Sequence, residues 1–191
     1  NFAEVSSVTV DELFGGYDEL YAITYSSSMG FICDILENFK YAEIIFGFED
    51  LISDSLQEII AFQTITLEKL REESNKKKLD LLSRVEKEAL KLYVSRDKLS
   101  HEKTYILKAE DGRVRVITGS ANMSYAAFQG KQRETIIYFD DIEAYKWYFE
   151  TFRNLKESST DDISRKAIEI GDAKENLDNL PISETLKVKK T

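Results

Sequence analysis

The residues able to do chemistry in this chain are few, because its 191 residues include a single histidine, His101. It stands in His101-Glu102-Lys103, just ahead of the β-rich run Thr104-Tyr105-Ile106-Leu107. The strand period of two points His101 and Lys103 to the same face. A second group, Gly119-Ser120-Ala121-Asn122, ends the next predicted strand, and Glu134 opens a further one within Lys131-Gln132-Arg133-Glu134. A histidine can act as a nucleophile, while lysine, serine and asparagine can hold the non-bridging oxygens of a phosphodiester. Glycine at 119 lets the backbone come close to a bulky anion. An acid such as Glu134 can fix an imidazole tautomer and raise its basicity. The set calls for no metal. With one histidine, one cysteine and scattered carboxylates the chain lacks a conventional metal-ligand pattern, and no cofactor is implied.

The elements that must position these groups read as α/β. Leu20 to Tyr25 is a short β-rich run, followed by Ser26-Ser27-Ser28 as a helix-capping cluster. Phe31, Ile32, Ile35, Leu36 and Phe39 recur at helical spacing, and Tyr41 to Phe46 is a second strand closed by Gly47. Strand, helix, strand at this spacing is a βαβ unit, which predicts a partly parallel sheet. Residues 50–90 predict a helical hairpin, one arm through Ile52, Leu56, Ile59, Ile60, Leu67 and Leu70, the other through Leu79, Leu82, Val85 and Ala89. Ser74-Asn75 and Lys76-Lys77-Lys78 fall between the arms, the lysine run reading as a solvated turn or as a phosphate-steering patch. Strands then return at Leu92 to Val94, Thr104 to Leu107, Val114 to Ile117 and Thr135 to Phe139. Asp111-Gly112 predicts a type I′ hairpin, which would pair the strands bearing the two motifs. Asp140-Asp141 caps a helix carrying Ala144, Trp147, Tyr148 and Phe152.

Each motif also has a plain structural reading. Gly119-Ser120 can be a turn, Asn122 a cap for a helix over Met123 to Phe128, and Glu134 a partner of Lys131 or Arg133. Arg113 and Arg115 share a strand face, either solvated or a phosphate track beside the site. Tyr125, Phe128, Trp147 and Tyr148 read as core packing rather than base-stacking platforms.

Taken in order, His101-x-Lys103 and Gly119-Ser120-x-Asn122 resemble the signature of the phospholipase D superfamily, H-x-K-x4-D followed by G-[GS]-x-N (the HKD motif). Tyr25-Ser26-Ser27-Ser28, Ile44-Ile45-Phe46-Gly47 and Glu134 resemble its single-motif nuclease branch, and the likeness covers about residues 17–155. The family's Asp falls at Lys108. The resemblance implies a mixed β-sheet flanked by helices, with the helical hairpin as an insertion. It implies a metal-independent phosphodiesterase, a nuclease acting on DNA through a phosphohistidine, with His101, Lys103, Ser120, Asn122 and Glu134 as site residues. The family reaction uses two histidines and this chain supplies one. Two copies across a twofold axis would each bring a His101, so a homodimer with one shared site is expected, each Glu134 orienting a histidine. The competing readings are a degenerate dimerisation or nucleic-acid-binding module, which Lys108 favours, and a lipid or small-phosphodiester hydrolase.

Composition bounds these expectations. The chain is 42% apolar and 12% aromatic, enough for a core and against wholesale disorder. Cys33 is alone, which rules out an intrachain disulfide and fits a reducing, cytoplasmic setting. No apolar run approaches the ~18–20 residues of a membrane helix, so no membrane partner is expected. The net charge of −9 opposes nonspecific binding to nucleic acid, and a fused helicase or ATPase domain would supply that affinity. Residues 1–155 are expected to form the catalytic domain, and the polar stretch 156–191 a linker or appendage.

Overall fold

The computed structural model describes residues 9–47, 75–96, 100–129 and 132–164. Its sheet is built outward from β1 (Glu19–Thr24), whose last five residues are buried because both faces are covered. Leu20 and Ala22 belong to a core cluster on one face, Tyr21 and Ile23 to a second cluster on the other. β1 runs parallel to β2 (Tyr41–Phe46), and β2 parallel to β3 (Leu90–Ser95). On the other side β1 pairs antiparallel with β4 (Thr104–Lys108), β4 with β5 (Val114–Gly119) and β5 with β6 (Ile136–Phe139). β7 (Thr160–Asp162) closes the far edge against β3, giving the order β6-β5-β4-β1-β2-β3-β7. This is the expected mixed sheet.

Helices flank both faces. α1 (Val10–Phe14) is held by a capping box between Thr9 and Glu12 and buries Leu13 and Phe14 in the first cluster. α2 (Met29–Leu36) makes the crossover from β1 to β2 and buries Phe31, Ile32, Ile35 and Leu36 there. α3 (Asn75–Glu86) adds Leu81 and Val85. Asn75 to Lys78, expected in the turn of a hairpin, lie instead in the first turn of α3. The first arm of that hairpin, from Ile52 to Leu70, lies outside the described residues. A short helix, α4 (Tyr125–Phe128), follows the Gly-Ser-x-Asn motif. α5 (Ile142–Ser159) covers the opposite face, where Phe152 is fully buried and Tyr145, Tyr148 and Phe149 pack around Tyr21 and Ile23. Asp141 caps α5 by accepting from the Ala144 amide at 2.8 Å. Among the described residues no helix is long and apolar enough to cross a membrane.

Two further sequence expectations change. The hairpin between β4 and β5 forms, but its turn is not type I′. That turn would need positive φ at Asp111 as well, and only Gly112 has it, at +89°. The Gly112 amide donates to the Ala109 carbonyl at 3.0 Å, a turn followed by one left-handed glycine, which keeps the strands in register at lower steric cost. The folded unit also runs beyond residue 155. Thr160 to Asp162 pair with β3, Ile163 is fully buried, and the Ser164 hydroxyl accepts from the Leu92 amide at 2.9 Å. An edge strand needs only its backbone ladder on one side, so a polar Ser-Thr-Asp composition suits it. Residues 165–191 lie outside the described residues.

Candidate active site

The two sequence motifs meet at one end of the sheet, where β1 and β2 finish, β4 begins and β5 finishes. Parallel strands leave a crevice beyond their carboxyl ends, the usual place for a ligand on an open α/β sheet. Three backbone approaches shape it. Gly47 donates its amide to the Thr24 carbonyl at 2.8 Å, and a Cβ there would lie 2.0 Å from the Ser100 carbonyl oxygen. That glycine lets the segment carrying His101 run against the loop after β1. Gly119 sits at φ +147°, and a Cβ would lie 1.9 Å from the Thr135 oxygen. The motif glycine thus admits the chain that delivers Glu134. Ser28 donates its amide to the Met123 carbonyl at 3.0 Å, which fastens the Ser26-Ser27-Ser28 loop to the Gly-Ser-x-Asn motif. Ser28 is the residue before α2, but its side chain makes no cap bond.

His101 is exposed, and its imidazole stacks on the Tyr25 ring with centroids 4.1 Å apart and planes 19° from parallel. Lys103 extends its ammonium to the His101 carbonyl oxygen at 2.5 Å and to within 5.0 Å of the Tyr25 ring centroid. Partial burial pulls the Lys103 pKa below the ordinary lysine value, and the Glu134 carboxylate opposes that shift. An ammonium has three donors, so Lys103 keeps others to offer a substrate.

Asn122 and Ser120 play different parts. The Asn122 carboxamide oxygen accepts the Ser26 amide at 3.2 Å, which orients its NH2 group as the end left for a ligand. The Ser120 hydroxyl donates to the Glu134 carboxylate and accepts from the Thr135 amide at 2.9 Å. Its one proton is directed at Glu134, so the motif serine is tied to that carboxylate. The bond that Glu134 makes is to Ser120. No hydrogen bond joins Glu134 to His101 among the described residues. Behind these groups Tyr105, buried in the first cluster, donates to the Ala121 carbonyl at 2.7 Å, and Thr24 accepts from the Met123 amide at 3.0 Å. These contacts pin the residues on either side of Asn122 to the core.

Arg115 is spent on structure: its guanidinium makes bonds of 2.6 and 2.8 Å to Asp140 and one of 2.6 Å to the Glu12 carbonyl. Arg113 bonds Asp111 and the Gly16 carbonyl, and both arginines lie over the Tyr17 ring. Neither makes a phosphate track. Tyr125 and Phe128 pack on the first core cluster and Tyr148 on the second, but Trp147 is 63% exposed. Lys108 lies at the other end of β4, paired in register with Glu19 and 3.3 Å from its carboxylate. The position of the family's Asp therefore does not line the site. Tyr25 is the residue that the reading of motifs left without a role. Its signal was its place directly after the first strand, beside the serines already singled out. Among the described residues no three His, Cys, Asp or Glu side chains are grouped to hold a metal ion.

Solved structures with similar architecture include Nuc, a phospholipase D family member from Salmonella typhimurium. It is 15% identical over 78% of this chain and 84% of its own, with a TM-score of 0.47. NucT from Helicobacter pylori is 17% identical over 76% of this chain and 83% of its own, with a TM-score of 0.44. A phosphatidylserine synthase from Haemophilus influenzae Rd KW20 is 15% identical, with a TM-score of 0.52 over 88% of this chain, which spans 42% of the synthase. That last likeness concerns the fold alone. No curated protein sequence matches the chain. The family model of the NgoFVII restriction endonuclease N-terminal PLD domain matches residues 63–172, which contain both motifs and Glu134. More than half of the chain is matched, and the chain belongs to this family of nuclease-like phospholipase D domains.

Proposed function

We propose that this domain is a metal-independent phosphodiesterase that cleaves DNA through a phosphohistidine, at a site shared by two copies of the chain. The observation that carries the reading is the exposed His101 imidazole, held against Tyr25 with the Lys103 ammonium beside it. In the first step an imidazole nitrogen attacks phosphorus. The N–P bond forms, the P–O bond to the leaving oxygen breaks, and that oxygen takes a proton from the partner subunit's His101. In the second step that same imidazole accepts a proton from water, the new O–P bond forms, and the N–P bond breaks. Lys103 and the Asn122 NH2 group face the charge gathered on the non-bridging oxygens, while the Glu134 carboxylate opposes the burial that lowers the Lys103 pKa. The donor set of ammonium, carboxamide and imidazole suits an anion and lacks the grouped carboxylates that a catalytic divalent cation needs.

The single histidine supports the shared site, since an isologous twofold contact delivers the second copy. A surface for that contact runs on from Glu134 itself. β6 is a sheet edge, and Ile137, Tyr138 and Phe139 on it are exposed, as is Ile142 at the start of α5. The match to a restriction endonuclease domain supports DNA as the substrate, and a helicase or ATPase domain on the same polypeptide would supply the affinity that the chain's net charge of −9 opposes.

The test is cleavage of single- and double-stranded DNA and of a chromogenic phosphodiester in excess EDTA, for the wild type and His101→Ala. The expected result is EDTA-resistant cleavage that the substitution abolishes. Cleavage that survives the substitution, or that EDTA stops, overturns the assignment. Binding without cleavage by either protein would favour the noncatalytic module.

A further inference from the structure

We propose that Tyr25 is a positioning residue of this site, its ring holding both the His101 imidazole and the Lys103 ammonium. The inference rests on the reaction proposed above. His101 to Lys103 lie ahead of the first residue of β4, outside the strand ladder. The bonds that hold this segment are local, from the Glu102 amide to the Ser100 hydroxyl at 3.4 Å, from the Lys103 ammonium to the His101 carbonyl at 2.5 Å and from the Thr104 hydroxyl to Glu102 at 2.8 Å, and they leave the imidazole itself unbonded. An exposed imidazole on such a stretch has several rotamers open to it, and attack on phosphorus needs one.

Tyr25, by contrast, sits on fixed backbone. The Thr24 hydroxyl donates to the Ser26 carbonyl at 2.7 Å and the Ser26 amide donates to Asn122. Gly47 brings the β2 end to within ordinary contact of the Tyr25 Cα, where a Cβ would lie 3.4 Å away. The rigid loop therefore carries the ring, and the ring orders the two reacting groups. A flat stack at 4.1 Å sets the plane of the imidazole. The electron-rich face attracts the Lys103 ammonium at 5.0 Å and keeps it near the same phosphate. Because Asn122 holds the loop through Ser26, the two motifs are joined through Tyr25 as well as through the sheet.

The experiment uses the fact that the chain has one histidine, so its imidazole signals in an NMR spectrum belong to His101. In the wild type, through-space contacts between the His101 and Tyr25 ring protons are expected, with His101 signals displaced by the tyrosine ring current. Tyr25→Phe should keep the displacement and hold kcat within about threefold of wild type, since the ring face is retained. Tyr25→Leu should lose it and lower kcat about 10- to 100-fold, with KM within about threefold, as expected for a misplaced nucleophile. Unchanged His101 signals or unchanged kcat in the leucine variant overturns the proposal, as does a phenylalanine variant as impaired as the leucine one. Should the leucine variant not fold, the ring contacts in the wild type and the phenylalanine rescue still decide. A wild type that cuts nothing despite those contacts overturns the reaction and the role with it. A wild type that cuts without them overturns Tyr25 alone.

Discussion

Ser120 is bonded to Glu134 across a chain reversal: its hydroxyl donates to the Glu134 carboxylate while it accepts the amide of Thr135, the next residue, at 2.9 Å. The carboxylate that supports the Lys103 charge is thus located by the motif serine. Ser120→Ala and Glu134→Gln are each expected to lower EDTA-resistant kcat about 10- to 100-fold, the range for a lost supporting partner at a catalytic centre. The double variant should cost little more than Glu134→Gln alone, because Ser120 acts through the carboxylate which that substitution neutralises. A double-mutant cycle on kcat measures this. Additive losses would mean that Ser120 meets the phosphate itself.

Gly119→Ala tests the close approach. The new methyl group would lie 1.9 Å from the Thr135 carbonyl oxygen, at a φ of +147° that an L side chain rarely adopts. The chain bearing Glu134 must move away. A loss of about 1–3 kcal/mol in thermal unfolding is expected. Cleavage should fall further than that loss of fold accounts for.

Lys103 gives a pH dependence. Burial lowers its folded pKa below that of the unfolded chain, so between the two values the unfolded state binds more protons. Stability from this group is therefore lowest below the folded pKa and rises as pH climbs through it. Activity goes the other way, because deprotonation removes the charge that faces the phosphate. The alkaline limb of the kcat profile should fall below the ordinary lysine value of 10.5. It should move lower still in Glu134→Gln, which removes the charge that opposes the shift. A limb unmoved in that variant would separate Lys103 from Glu134.

Subunit mixing tests the shared site. If both histidines are needed, a mixed dimer of wild type and His101→Ala is inactive. After random exchange, activity should follow the square of the wild-type fraction rather than the fraction itself. Phe139→Glu, at the exposed β6 edge, should shift the protein to monomers in analytical ultracentrifugation and lose cleavage with them. Linear dependence on the wild-type fraction would place a complete site in each chain.

Much of this arrangement was legible in the sequence because it is local. Short apolar, β-rich runs mark β1, β2, β4 and β5, and the Asp141 cap marks the start of α5. The five candidate residues fall beside strand ends, His101 and Lys103 before β4, Ser120 and Asn122 after β5 and Glu134 before β6. What sequence could not supply was who bonds whom across long separations. The Asn122 bond to Ser26 and the Tyr25 stack on His101 join residues far apart in the chain, and no periodicity encodes them. α1 did carry a local signal, Thr9 followed by Glu12, but it is short and two of its five residues supply its burial. β7 was read as linker because an outer strand with a polar face has a linker's composition.

Lys108 bears on whether the family's chemistry survives its missing acid. From Thr104 to Lys108 the strand rises about 14 Å, at roughly 3.4 Å per residue. That exceeds the ~8 Å over which physiological salt lets an exposed charge be felt. The two ends of β4 are therefore electrically independent. One carries the candidate site, while at the other the Glu19–Lys108 pair closes the lower rim of the sheet. A reversal of charge at the lower end leaves the upper end's reactivity free to persist.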